Sequence, residues 1–224
     1  MLFTDTARMA KSVYLITQTK PYEQLGSSDV RLLVLGDSTG YGTGVSDAGQ
    51  RIGGLIGSDF KAVTIVNNSV NGRRLDELVK KPPVLAGSYK VVLLQMGAND
   101  ILQERELPAV MTDLETLYKL IEPYTEHIVL MTSGNVGGAA AFTDTPQAEK
   151  FEQLSREYYA AFTLFTETHP NVTFVNLFDE PEIDPFVLQP ETYLALDGLH
   201  PNAAGYALWY KKLHPVIEPF LNAE

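Results

Sequence analysis

A serine, a histidine and an aspartate far apart in this chain have the types and local spacing for nucleophilic chemistry. Ser38 stands in Gly36-Asp37-Ser38-Thr39-Gly40, directly after the apolar run 32–35. A serine hydroxyl is a weak nucleophile until a base removes its proton, and the base needs a partner that fixes its tautomer. The chain has 4 histidines. His127 opens an apolar run, and His169 and His214 each precede a proline at what reads as the end of an element, so these three are expected to be structural or solvent-facing. His200 differs, because it lies in Asp197-Gly198-Leu199-His200-Pro201-Asn202, three residues after an aspartate. One turn can aim both side chains the same way, so that Asp197 accepts from His200 Nδ1 and leaves Nε2 to face Ser38. Each piece alone also has a plainer reading, Ser38 as a helix N-cap and Asp197 as a turn residue.

Acyl transfer further requires donors for a developing oxyanion, usually backbone N–H groups or an asparagine amide. Gly72 closes the polar loop Asn67-Asn68-Ser69-Val70-Asn71-Gly72 with an unobstructed N–H, and Asn99 lies in Gly97-Ala98-Asn99-Asp100 after another apolar run. Both residue types are also common turn formers. Other chemistries lack their spacing: Gly40, Gly42 and Gly44 do not form G-x-G-x-x-G, no lysine follows as in a phosphate-binding loop, and no paired-histidine cluster suggests a metal. No cofactor is expected.

The elements that must position these residues alternate between strand and helix. Apolar runs at 32–35, 61–67, 90–96, 127–132 and 172–177 predict five strands, and the continuous run without alternation at 32–35 is that of a parallel strand covered on both faces. Helices are predicted at 47–60, 73–81, 107–124, 147–168 and 201–220, the last with Pro201 in its first turn. Strands separated by helices predict a parallel sheet with helices on both faces. Ser38 then sits just past a strand's carboxyl end, where open α/β sheets place their ligands. Residues 5–19 predict an N-terminal helix with Met9, Val13 and Ile16 as its apolar stripe, packed on the outside of the core. The apolar, glycine-rich loop 133–142, with Asn135 and Val136, and the proline-containing irregular segment 178–195 are expected to wall a pocket. Asp37, Thr39 and Leu199, next to the candidate chemistry, are expected to join them.

At 224 residues, 45% hydrophobic and 20% charged, with no linker, the chain 1–224 is expected to form a single domain. A net charge of −11 removes long-range attraction to phosphate backbones and makes nucleic acid an improbable partner. The absence of cysteine excludes thiolate nucleophiles and thiolate metal sites. No apolar run is long enough to span a bilayer, and the first residues have neither a basic nor an apolar leader region, so the sequence as written reads as cytoplasmic. An exported or anchored form would require a further N-terminal segment. Oligomeric state is not legible.

Gly36-Asp37-Ser38, then Gly72, then Gly97-Ala98-Asn99-Asp100, then Asp197-Gly198-Leu199-His200 resembles the ordered blocks of the SGNH hydrolases, also called GDSL esterases and lipases. The blocks span most of the chain. The resemblance implies a three-layer, flavodoxin-like α/β/α sandwich with strand order 2-1-3-4-5. It also implies a small-molecule ester substrate, Ser38 as nucleophile, His200 as base and Asp197 as its orienting acid. The Ser38 and Gly72 N–H groups with the Asn99 amide would then form the oxyanion hole. Thr39 stands where many members have leucine, and Arg73-Arg74 follow Gly72 where small residues are common. The arginines are expected to pair with Asp76 or Glu77 rather than with substrate.

Overall fold

The computed structural model describes residues 6–222 and is built on one five-stranded parallel sheet in the order β2-β1-β3-β4-β5. The strands are β1 (Arg31–Gly36), β2 (Thr64–Asn67), β3 (Tyr89–Gln95), β4 (Thr125–Met131) and β5 (Val172–Val175). The helices are α1 (Thr6–Thr17), α2 (Ser38–Tyr41), α3 (Ile52–Asp59), α4 (Leu75–Lys80), α5 (Ala98–Leu102), α6 (Leu107–Ile121), α7 (Ala148–Thr168), α8 (Pro185–Leu188), α9 (Pro190–Tyr193) and α10 (Ala203–Leu221).

Successive side chains of a strand point to opposite faces, so an unbroken apolar run feeds two cores. Leu33, Leu35, Val92, Leu94, Ile128 and Leu130 pack with α4, α6 and α7 on one face. Leu32, Val34, Val91, Leu93, Val129 and Met131 pack with α3 and α10 on the other. Truncating any of these leucines to alanine would cost about 2–5 kcal/mol through lost burial and the cavity left behind. The result is the expected three-layer sandwich. The register pairs Gly36 with Gln95, Gln95 with Met131, and Met131 with Val175, so the carboxyl ends of four strands come level. The loops that leave them therefore meet at one edge of the sheet.

Several elements differ from expectation. The helix expected at 47–60 starts with a separate 3-10 turn at Ala48–Gln50, because Arg51 is extended between that turn and α3. One-turn helices follow β1 and β3, and segment 178–195 holds two more, each opened by a proline. Pro201 lies before α10, in a bridge with Leu194, and Asn202 is the actual cap. His214 is inside α10 rather than at an end, as are Pro215 and Pro219. Each proline removes one helical hydrogen bond, yet the helix continues with Leu213, Ile217 and Leu221 buried along one face. His127 stacks on Phe220, and His169 Nδ1 donates to the Phe165 carbonyl, so neither approaches the carboxyl edge.

The N-terminal helix departs most. Val13, expected on its buried stripe, is 53% exposed, while Ser12 and Thr19 are buried and Leu15 and Ile16 half-buried. No described side chain of α1 belongs to either core. The Met9 side chain lies outside the described residues. No helix among the described residues is long and apolar enough to cross a membrane.

Candidate active site

The turn after β1 is set by an aspartate rather than by the serine. The Asp37 N–H donates to the Gln95 carbonyl (3.1 Å), extending the ladder one residue beyond the strand. Its Oδ1 then accepts from the Thr39 N–H and Thr39 Oγ1, both at 2.8 Å, and caps α2. Ser38 becomes the first residue of that helix, half-buried, with its N–H beyond the reach of any helical acceptor. Gly36 and Gly40 let the loop after β2 come close: a Cβ on either would lie 2.6 Å from Ser69 Oγ.

That loop is held at several points. Asn67 Nδ2 donates to the Gly40 carbonyl (3.0 Å), and Thr43 Oγ1 donates to Asn71 Oδ1 (2.7 Å). The Arg73 guanidinium donates to the Asn68 carbonyl (2.8 Å). Asp100, fully buried, accepts the Leu75 N–H at 3.2 Å and pairs with Arg105 at 2.7 Å; Arg105 in turn pairs with Asp113. Burial pushes the Asp100 carboxyl up, against the pull of Arg105 and the Leu75 N–H. The loops after β2 and β3 are thereby locked to each other. Gly72 sits between them at φ +76°, with its N–H unpartnered among the described residues. Asn99 Nδ2 donates one hydrogen to the Arg73 carbonyl (3.2 Å), leaving the other for the cavity that Asn99 lines. Arg74 pairs with Asp76 and Glu77, as expected of it, and neither arginine lines the cavity.

Asp197 and His200 are brought together by one turn. Asp197 Oδ1 accepts the N–H groups of Leu199 (3.0 Å) and His200 (3.1 Å), and Oδ2 lies 2.6 Å from His200 Nδ1. His200 Nε2 lies 2.9 Å from Ser38 Oγ. Burial pushes the Asp197 carboxyl up, but the His200 hydrogen bond and charge, with the two N–H groups, more than offset it and hold it below the ordinary carboxylate value. Ionised, Asp197 fixes the Nδ1–H tautomer and leaves Nε2 as the acceptor for the serine proton. The turn is anchored behind by the Ala195 N–H on the His200 carbonyl (2.8 Å) and by Asn202, whose amide bonds the Thr192 and Leu194 carbonyls while its Oδ1 caps α10.

Ser38, Gly72, Asn99 and His200 open on a cavity of about 190 Å³. Thr39, Asn135, Val136 and Leu199 line it, and loop 133–142 and segment 178–195 both contribute wall. Asp37 does not: it is fully buried beneath the turn, with Oδ2 unpartnered, and burial raises its carboxyl to about 6. Its part is to shape the turn, a correction to its expected place on the wall. Asp184 and Phe186 lie in segment 178–195 but were not singled out there, and sequence reasoning missed Ser12, Ile16, Asn71 and Trp209 on the wall. Asp184, whose carboxyl burial lifts to about 6, had one signal, a lone acid in Ile183-Asp184-Pro185-Phe186 that caps α8 through the Phe186 N–H (2.8 Å). Among the described residues no cluster of three or more His, Asp or Glu is placed to hold a metal ion.

A parallel sheet with a serine, a histidine and an aspartate hydrogen-bonded in sequence at its carboxyl edge is the arrangement of a serine-type hydrolase. The chain belongs to the GDSL-like Lipase/Acylhydrolase family, whose model matches residues 34–208. Solved structures with the same fold include a lipolytic protein of the G-D-S-L family from Veillonella parvula (17% identity, TM-score 0.66, covering 84% of this chain and 98% of that one). An acetyl xylan esterase variant from Geobacillus stearothermophilus is similar (19%, 0.62, 89% and 99%). So is the lipase Lip_vut3 from a goat rumen metagenome (19%, 0.62, 83% and 96%). No curated protein matches the sequence.

Proposed function

We propose that the protein is a serine esterase that hydrolyses carboxylic esters of short acyl chains through an acyl-enzyme on Ser38. The observation that carries this reading is the continuous path from Asp197 through His200 to Ser38 Oγ, with contacts of 2.6 and 2.9 Å. His200 Nε2 takes the hydroxyl proton as Oγ bonds to the ester carbonyl carbon. The Ser38 and Gly72 N–H groups and the Asn99 amide receive the oxyanion. Collapse breaks the bond to the alcohol, which leaves with the proton from Nε2. Water, deprotonated by His200, attacks the acyl-enzyme and releases the acid and free Ser38. The preference for short acyl chains is supported by the cavity, smaller than the roughly 300–1,000 Å³ of sites for drug-sized ligands.

A second reading within this chemistry takes an O-acetylated carbohydrate as substrate. The Asp184 carboxyl and Asn135 amide, set among the Phe186 and Trp209 rings in the wall, favour an alcohol that carries hydroxyls. Hydrolysis rates across p-nitrophenyl esters of increasing acyl length test the first reading, with Ser38→Ala as control. A maximum at acetate or butyrate with loss of turnover in the variant is expected. A maximum at long chains or full activity of Ser38→Ala overturns it. Deacetylation of acylated sugars faster than p-nitrophenyl acetate would favour the second.

A further inference from the structure

We infer that α1 forms the wall of the ester site on the side where the alcohol leaves, with Ser12 and Ile16 as residues that determine which alcohols fit. The inference rests on the esterase reading. It begins from a helix outside the span of the family match, which starts at residue 34. Ser12 and Ile16 nevertheless line the same cavity as Ser38 and His200. Because α1 joins neither core, the burial of Ser12 (8% exposed) is not explained by core packing. Its hydroxyl has no hydrogen-bond partner among the described residues, and it lies at a site where an ester would bind. Val13 and Tyr14 point outward, 53% and 57% exposed.

The helix is anchored on a definite side. Its last turn is closed by the Thr17 hydroxyl on the Tyr14 carbonyl (2.7 Å) and the Thr19 hydroxyl on the Ile16 carbonyl (3.1 Å). Its exit is held by Arg51, a side chain only 4% exposed, whose guanidinium bonds the carbonyls of Lys20, Val45 (2.9 Å) and Ser46 (2.7 Å). One buried cation thus ties the segment after α1 to the loop that follows the Ser38 turn. That loop abuts the histidine: a Cβ on Gly44 would lie 2.2 Å from the Pro201 carbonyl oxygen and 3.2 Å from His200 Cβ. The alcohol must depart where His200 Nε2 can protonate it, so the helix anchored beside His200 faces the alcohol and not the acyl chain. Ile16 offers apolar surface and Ser12 one hydroxyl, which fits an uncharged alcohol with an apolar body.

Two ester series on the full chain test this. Acetates of methanol, benzyl alcohol and 1-naphthol vary the alcohol at fixed acyl group, and p-nitrophenyl acetate to octanoate vary the acyl group at fixed alcohol. Ile16→Trp is expected to lower the naphthyl-to-methyl ratio of kcat/KM at least tenfold, and Ile16→Ala to raise it, while the acyl-length profile keeps its shape. Val13→Trp, outward on the same helix, is the control for disturbance of α1 and is expected to leave the ratio alone. The inference is overturned if the Ile16 variants leave the alcohol ratio unchanged, if they shift the acyl profile instead, or if Val13→Trp moves the ratio equally. A wild-type protein that turns over neither series would overturn the esterase reading itself, and this inference with it.

Discussion

Replacing Asp197 with asparagine separates the electrostatic role of this carboxylate from its structural one. Oδ1 accepts two backbone N–H groups that shape the turn, at 3.0 and 3.1 Å, and asparagine keeps that oxygen. Each such bond is worth about 1 kcal/mol net, so the fold should lose little. At the other position an NH₂ replaces the oxygen 2.6 Å from His200 Nδ1. The new donor forces Nδ1 to accept, moves the proton to Nε2, and presents an N–H to Ser38 Oγ in place of a base. Tautomer reversal of this kind lowers kcat by about 10⁴-fold in Ser-His-Asp hydrolases, or about 5 kcal/mol of barrier. Steady-state release of p-nitrophenol from the acetate at neutral pH should show that fall with KM changed by less than about threefold, because no substrate contact is touched. Thermal unfolding run alongside should show a similar midpoint. A kcat within about tenfold of wild type in a folded Asp197→Asn protein would refute the reasoning.

Asn99→Ala removes one oxyanion donor and should lower kcat about 10²-fold at nearly constant KM; an unchanged kcat would take Asn99 out of the site. Asp37 yields a stability prediction. Its carboxyl is lifted by burial to about 6, so between roughly pH 4 and 6 the folded chain keeps a proton that the unfolded chain has lost. This group's contribution therefore falls as pH rises through that window, by up to about 3 kcal/mol. Asp37→Asn keeps the acceptor for Thr39 and removes the titration, so its unfolding free energy relative to wild type should climb from pH 4 to 7 and then level off. Parallel pH curves for the two proteins would contradict this.

Much of the architecture was legible because buried parallel strands declare themselves. Runs such as 32–35 and 90–96 have no polar face, and the level carboxyl ends follow once the sheet is parallel. The order of the strands came from the resemblance, since periodicity carries no information on neighbours. Asp197-x-x-His200 was legible as a turn because a three-residue spacing fixes it, whereas its link to Ser38, 162 residues away in the chain, rested on residue types and on the resemblance. Long-range placement was not legible. Asp37 was expected to face the pocket from its proximity to Ser38, but its side chain turns inward to cap α2. The Val13 stripe failed because α1 has no core beneath it; a helix over a cavity buries Ser12 as readily as an apolar residue. Nothing in the sequence marks Arg51, whose burial is explained by carbonyls converging from two separate segments, Lys20 after α1 and Val45 and Ser46 after the Ser38 turn.

Covalent trapping tests the central claim most directly. A fluorophosphonate reacts with a serine only where a base activates the hydroxyl and donors receive the phosphoryl oxygen. The native protein treated with this probe, digested and read by mass spectrometry should carry a single adduct on Ser38, with esterase activity lost in proportion to labelling. Neither Ser38→Ala nor heat-unfolded wild type should label. A folded protein that stays unlabelled, or that hydrolyses esters at full rate with its adduct on another residue, would contradict the account.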